Sequence, residues 1–178
     1  MEETIRNRVA ESPLLQIDME EWYDHSPRRS FDLADFLFQG LILKELDFRQ
    51  AMKNYDWESI RGTVLSVYCS ADAIVPHWAF MLVATYASPI AGAVLFCTPD
   101  RADELLFDRK IQSLSLTEYL GKKVIVKGCS KFPVPVSAYL ALSDRLIPVV
   151  QSLMFGEPCS NVPLYKKKQP ASSQVPAA

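Results

Sequence analysis

The residues with the clearest chemical potential in this 178-residue chain are four cysteines, Cys69, Cys97, Cys129 and Cys159. Three are followed by serine, in "CSADAIVP", "CSKFPVP" and "CSNVP". A thiolate flanked by backbone N–H groups, a hydroxyl and the positive end of a following helix is stabilised against protonation. It can then ligate a soft metal or attack an electrophile. Cys69, Cys129 and Cys159 are therefore the candidate ligands for zinc, iron or an iron-sulfur cluster, with Asp72, His77 and Glu157 available to complete the shell. The chain has no C-x-x-C pair, which argues against a closed structural zinc site or a ferredoxin-type cluster; a site would have to be assembled from single residues on three loops. Each candidate also has a plain alternative. Cysteine commonly packs as a small hydrophobe, and Cys97, between Phe96 and Thr98-Pro99, suits that role best. Asp72 suits a turn or helix cap, His77 a solvated first helical turn, and Glu157 a loop.

Other chemistries find less support. A phosphatase or rhodanese-type loop needs a cation to hold oxyanions, yet "CSADAIVP" has none and "CSKFPVP" only Lys131. There is no G-x-G-x-x-G, Walker loop or G-x-S-x-G elbow. His25 and His77 are the only histidines, and neither has a specific pairing with a cysteine. Asp24-His25 in "EEWYDH" lies on an irregular segment whose neighbouring side chains face different ways. The sequence does not decide whether the protein is an enzyme.

The elements that must position the thiols repeat. A shift of 59 positions aligns Glu45-Leu46 with Glu104-Leu105, Phe48 with Phe107, Gly62 with Gly121, Val75-Pro76 with Val134-Pro135, and Phe96 with Phe155. This predicts two duplicated helix-strand-helix-strand units, 44–97 and 103–156, within a single α/β domain over 1–165. In the first, "KELDFRQAMKNY" reads as a helix with Leu46, Ala51 and Tyr55 on one face; "TVLSVY" is a buried strand. Pro76 suits the first position of the helix "HWAFMLVATYA", and "AVLF" returns as a strand. The second unit repeats this with "DELLFDRKIQSL", "KVIVK", "VSAYLALSDRL" and "VVQSLMF". Alternation of this kind predicts βαβ units, right-handed crossovers and one mostly parallel sheet flanked by helices. If the units pack about a pseudo-twofold axis, their first strands become neighbours where strand order reverses. Cys69 and Cys129 would then face each other across a crevice at the carboxyl ends of the strands.

The first 44 residues are less regular. "PLLQID" adds a strand, Asp32 caps a helix in "SFDLADFLFQGLILK", Gly40 breaks it, and the segment covers a sheet edge. Residues 166–178 read as a disordered tail, poor in large apolar groups.

Composition bounds the partners. Hydrophobic residues make up 49%, charged residues 22%, and the formal net charge is -2, with one basic cluster at Lys166-Lys167-Lys168. Nucleic acid is not expected. Acids in "MEETIRNRVAES" do not match a signal peptide, and turn residues interrupt the longest apolar run, so no membrane span and a cytoplasmic location are expected. Cytoplasmic thiols stay reduced, which favours packing, metal or redox roles over structural disulfides.

The runs "FLFQGLILKELDFR", "CSADAIVPHWAF", "KGCSKFPVPVSAY" and "MFGEPCSNVPLYKK" resemble an uncharacterised bacterial family, domain of unknown function 2480. The resemblance implies no assigned reaction; it implies an association with iron-sulfur assembly, which a thiol site would suit. Three function classes follow: a cysteine-based metal or iron-sulfur related protein, a non-catalytic interaction protein with core cysteines and a protein partner or second copy, and a thiol-based enzyme.

Overall fold

The computed structural model describes residues 14–128 and 131–168. In chain order the strands and α-helices are β1 (Leu14–Asp18), β2 (Arg28–Asp32), α1 (Glu45–Asn54), β3 (Val64–Tyr68), α2 (His77–Ala87), β4 (Ala93–Phe96), α3 (Ala102–Gln112), β5 (Lys123–Lys127), α4 (Val136–Leu146), β6 (Ser152–Glu157) and β7 (Ser160–Lys166). Short 3-10 turns follow β1 and β2 and precede β3 and β5. The chain forms two compact units, one of Asp24–Leu106, here the inserted unit, and one of Met1–Tyr23 with Phe107–Ala178, the framing unit. Each is larger than the expected repeat because it takes in a strand from the N-terminal segment.

In the inserted unit β2, β3 and β4 form a parallel sheet in that order. Val64 through Val67 are all buried, the pattern of a central strand covered on both faces. One core gathers Phe31, Phe48, Met52, Leu65, Val67 and Val83. A second gathers Val64, Leu95, Cys97 and Ala102, with Leu105 and Leu106 against them. Helix α1 therefore buries Phe48 and Met52. Of the expected face, Ala51 and Tyr55 do pack against this core, but Leu46 does not, being 82% exposed. A phenylalanine offers more apolar area than a leucine, and the helix turns so that Phe48 is withdrawn from water.

In the framing unit the strand order is β1-β5-β6-β7, the first three parallel and β7 antiparallel to β6. Its core includes Ile17, Met19, Phe107, Ile111, Val124, Val126, Leu142 and Leu153. The 59-residue spacing recurs in the element bounds, with β3 and β5, α2 and α4, and β4 and β6 each starting that far apart. It recurs in detail too. Gly62 and Gly121 both take φ +67°, and their N–H groups donate to the Ile90 and Val149 carbonyls at 3.0 and 2.8 Å. A left-handed backbone suits glycine, which has no Cβ to clash. Pro76 and Pro135 stand at the N-caps of α2 and α4, one residue earlier than expected, with nearly equal dihedrals.

The expectation of one sheet is corrected. Strands β3 and β5 belong to separate sheets, so the strands leading to Cys69 and Cys129 are not neighbours. Both edges of each are already occupied, β3 by β2 and β4, β5 by β1 and β6. Strand order follows chain order in both sheets, which leaves no order reversal and no switch-point crevice of the expected kind. The N-terminal segment does supply edge strands, β1 and β2. Asp32 caps the 3-10 turn Leu33–Phe36, its Oδ1 accepting from Ala34 N at 2.9 Å. Gly40 does not break a helix; it sits in a hairpin turn. Lys166 ends β7, and residues 169–178 lie outside the described residues. Among the described residues no helix is long and apolar enough to cross a membrane.

Candidate functional site

Three of the four cysteines can be placed, and each follows a strand as expected. Cys69 comes directly after β3, Cys97 directly after β4, and Cys159 in the turn between β6 and β7. Cys129 lies outside the described residues. Cys97 is buried at 9% exposure, and its thiol stands 3.7 Å from the Ser66 hydroxyl, as a packed cysteine should. Cys69 is half-buried against the core; its thiol donates to the Ala71 carbonyl at 3.6 Å. Cys159 is exposed. Of the other candidate ligands, Asp72 is exposed in the turn after Cys69, His77 is exposed at the first residue of α2, and Glu157 ends β6 with its carboxylate 3.9 Å from Lys127 Nζ. Cys69, Asp72 and His77 belong to the inserted unit, Glu157 and Cys159 to the framing unit. Among the described residues no group of three or more His, Cys, Asp or Glu side chains could hold a metal ion.

The turn after β3 is organised by an aspartate. Asp32 Oδ1 accepts from Ser70 N as well as from Ala34 N, both at 2.9 Å, tying the end of β2 to the residue after Cys69. Partial burial works to raise the Asp32 carboxyl, but hydrogen bonds from the Ser70 hydroxyl and the two N–H groups outweigh it and hold the group below its ordinary range. The turn after β5 is described from Lys131 onward; there Lys131 N donates to Glu20 Oε1 at 2.6 Å. Arg28 likewise has a structural task. It pairs with Asp103 at 2.7 Å and Asp24 at 3.2 Å and donates to the Asp24 and Ser26 carbonyls.

The more unusual surface lies elsewhere in the inserted unit. Between Phe36 and Lys44 the chain makes a tight hairpin, with Phe38 N donating to the Ile42 carbonyl at 2.7 Å and Leu41 N to the Phe38 carbonyl at 3.2 Å. Three residues, Gln39, Gly40 and Leu41, lie between the bridged pair, and Gln39 and Gly40 take left-handed φ of +54° and +69°. For glutamine that conformation costs about 1–2 kcal/mol. Its result is to hold Phe38, Leu41 and Ile42 outward at 46%, 64% and 62% exposure, near Leu46 in sequence. Lys44 Nζ stands 3.3 Å from the centre of the Phe38 ring, a cation–π contact. Beside the hairpin is a cleft of about 250 Å³, floored by Phe36, Phe48 and Ala51 and rimmed by Asp35 and Asp47. The signal for this turn in the sequence is a glycine within a short linker between two apolar dipeptides, "LF-QG-LI", which also suits a hairpin loop.

No curated protein and no solved structure matches the chain. A family model, described as protein of unknown function (DUF2480), matches residues 3–167. That match spans nearly the whole chain, including every strand and helix above, and the chain belongs to this family.

Proposed function

We propose that this is a non-catalytic interaction protein that presents the Phe38–Ile42 hairpin and the start of α1 to a protein partner. The observation that carries the reading is the exposure of Phe38, Leu41, Ile42 and Leu46 around a turn containing a non-glycine left-handed residue. Water contact with four large apolar side chains is unfavourable, and grouped exposure of this kind marks contact surfaces. The position equivalent to Leu46 sharpens the point. Leu105, 59 residues later, is packed against Val64, Leu95 and Cys97, so the same helix position has a covering surface in one case and water in the other. The cysteine geometry fits this reading, with Cys97 in the core and Cys69 bonded within its own turn. We also infer that the chain arose by duplication of a helix-strand-helix-strand unit, each copy taking an edge strand from the N-terminal segment. The recurrent spacing, glycine conformations and proline caps support that history.

The test is sedimentation and quantitative pull-down with the wild-type chain and a Leu41→Asp, Ile42→Asp variant, whose exposed positions permit charge without unfolding. The reading expects a saturable complex, with a partner protein or a second copy, that the variant weakens at least tenfold. It fails if both proteins behave alike. The thiol reading, with Cys69, Cys129 and Cys159 holding zinc, iron or an iron-sulfur cluster, makes a separate prediction for the same material. Anaerobically purified protein would carry stoichiometric metal, and a variant with serine at all three positions would lose it.

A further inference from the structure

The framing unit carries a second concave feature at the opposite strand ends from Cys159. Lys123 and Ser152 are the first residues of β5 and β6 and pair directly; Ser152 in turn pairs with Lys166 of β7. Directly opposed residues project from the same face of a sheet, so Lys123, Ser152 and Lys166 form one row on it. With strands about 4.8 Å apart, the two lysine backbones lie about 10 Å from each other on either side of the serine. The next row on that face brings Met154 opposite Pro163. A bulge in β7 follows, where Leu164 is the extra residue and Tyr165 pairs with Leu153. The row and Met154 and Pro163 line a groove of about 240 Å³, which Gln151 and Tyr165 complete; Tyr165, paired with Leu153, also packs against the core. The lining residues include two lysines and no acidic residue, and neither lysine forms an ion pair with a described residue.

Two lysines whose backbones lie about 10 Å apart can both turn their ammonium groups toward an anion placed between them, at little cost in mutual repulsion. The Ser152 hydroxyl can donate to the same anion. A purely polar anion would leave the apolar lining in water, and a purely apolar ligand would leave the ammonium groups without a partner. We infer that the groove binds a small anion bearing an aromatic or compact apolar body, its carboxylate or phosphate set between Lys123 and Lys166 and its apolar part against Met154, Pro163 and Tyr165. The volume suits a single-ring ligand, being below the range of about 300–1,000 Å³ typical of drug-sized sites. This inference is independent of the hairpin surface.

Amide chemical-shift mapping of the full chain by NMR tests it, with benzoate, phenyl phosphate and neutral benzyl alcohol as probes. Saturable shifts are expected at Ser152, Met154 and Tyr165 with the two anions, at least about tenfold tighter than with benzyl alcohol. The tighter of the two anions identifies the head group. Lys123→Gln with Lys166→Gln should weaken anion binding about tenfold or more while leaving the spectrum otherwise folded, and added salt should weaken it in the wild type. The inference is overturned if no probe saturates, if the shifts map outside the groove, if benzyl alcohol binds as well as the anions, or if the glutamine variant binds them as tightly as the wild type.

Discussion

The inserted and framing units share an element order and diverge where one strand ends and another begins. In both, a first strand leads into a 3-10 turn, and a central strand then leads to an eleven-residue helix capped by proline and to a return strand. The inserted unit follows its first strand with the apolar hairpin, ahead of α1. The framing unit follows its return strand with β7 and forms the lysine-flanked groove. The shared parts are buried or conformationally demanding, as Phe48 with Phe107 and Gly62 with Gly121 illustrate. The differing parts are exposed, and each makes a distinct surface. One scaffold thus carries two candidate contact features, neither at the expected cysteine turns.

The largest expected effects test whether the two cores are equivalent. Phe48 and Phe107 are 1% and 2% exposed, and truncating either to alanine should cost about 3–5 kcal/mol. Residue-resolved hydrogen exchange should show Phe48→Ala lowering protection mainly in the inserted unit and Phe107→Ala mainly in the framing unit. Identical exchange patterns from both variants would mean that the chain opens as one cooperative body, and the comparison of units would lose its energetic meaning.

A smaller effect is expected from the matched glycines. Both take φ +67°, and an added Cβ at either would meet nothing within 4 Å, so only backbone strain opposes substitution. Gly62→Ala and Gly121→Ala should each cost about 1–2 kcal/mol, equal to within about 0.5 kcal/mol. Chemical denaturation of the two variants provides the measurement; a large inequality would show that the two turns carry different loads.

At high pH the units should separate. Burial, aided by nearby Glu118, pushes the Tyr119 phenol up to about 12. Its folded value lies above its unfolded one of about 10, so the contribution is complete below pH 10 and is lost as pH rises toward 12. The equivalent residue in the inserted unit is Ile60, which cannot ionise. Tyr119→Phe should therefore flatten the alkaline fall in stability, and an unchanged alkaline limb in that variant would assign the loss to other groups.

The smallest expected effect belongs to Asp32, whose carboxyl is held below its ordinary range. Because the folded value is depressed, its stabilisation is present above the ordinary carboxylate value near 4 and is lost as pH falls through the folded value. Asp32→Asn should weaken the acid dependence and raise amide exchange at Ser70. A Ser70 amide that stays equally protected would show that the turn after β3 does not depend on this carboxylate.

Much of the framework was legible in the residues. The bounds of β4, β5, α2 and α4 follow from short apolar or β-branched runs closed by glycine and proline, and Cys97 was readable as a packed residue from its apolar setting. The strands β2 and β7 were not, because "RRSFD" holds a single large apolar residue and "SNVPLYK" carries a proline and buries almost none of its residues, so neither shows the apolar alternation of a half-buried strand. The hairpin was missed because six apolar residues around one Gln-Gly pair also suit a helix. On α1 the expected Ala51 and Tyr55 do pack inward, but Leu46 and Phe48 are both apolar, and spacing alone does not say which one a sheet will cover.

What the sequence by itself determined is therefore local: the 59-residue repeat, the left-handed glycine positions, the proline caps and a cysteine after each of the strands β3, β4 and β6. These follow from φ restrictions, missing N–H groups and apolar spacing, which act within a few residues of each other. Only the tertiary structure decided that the repeats make two sheets, that the N-terminal segment gives each sheet its own edge strand, and that Lys123, Ser152 and Lys166 fall in one row. Strand pairing joins residues far apart in the chain through hydrogen bonds that every backbone can make. Its partners are selected by the edges still open and by the apolar faces that must be covered together.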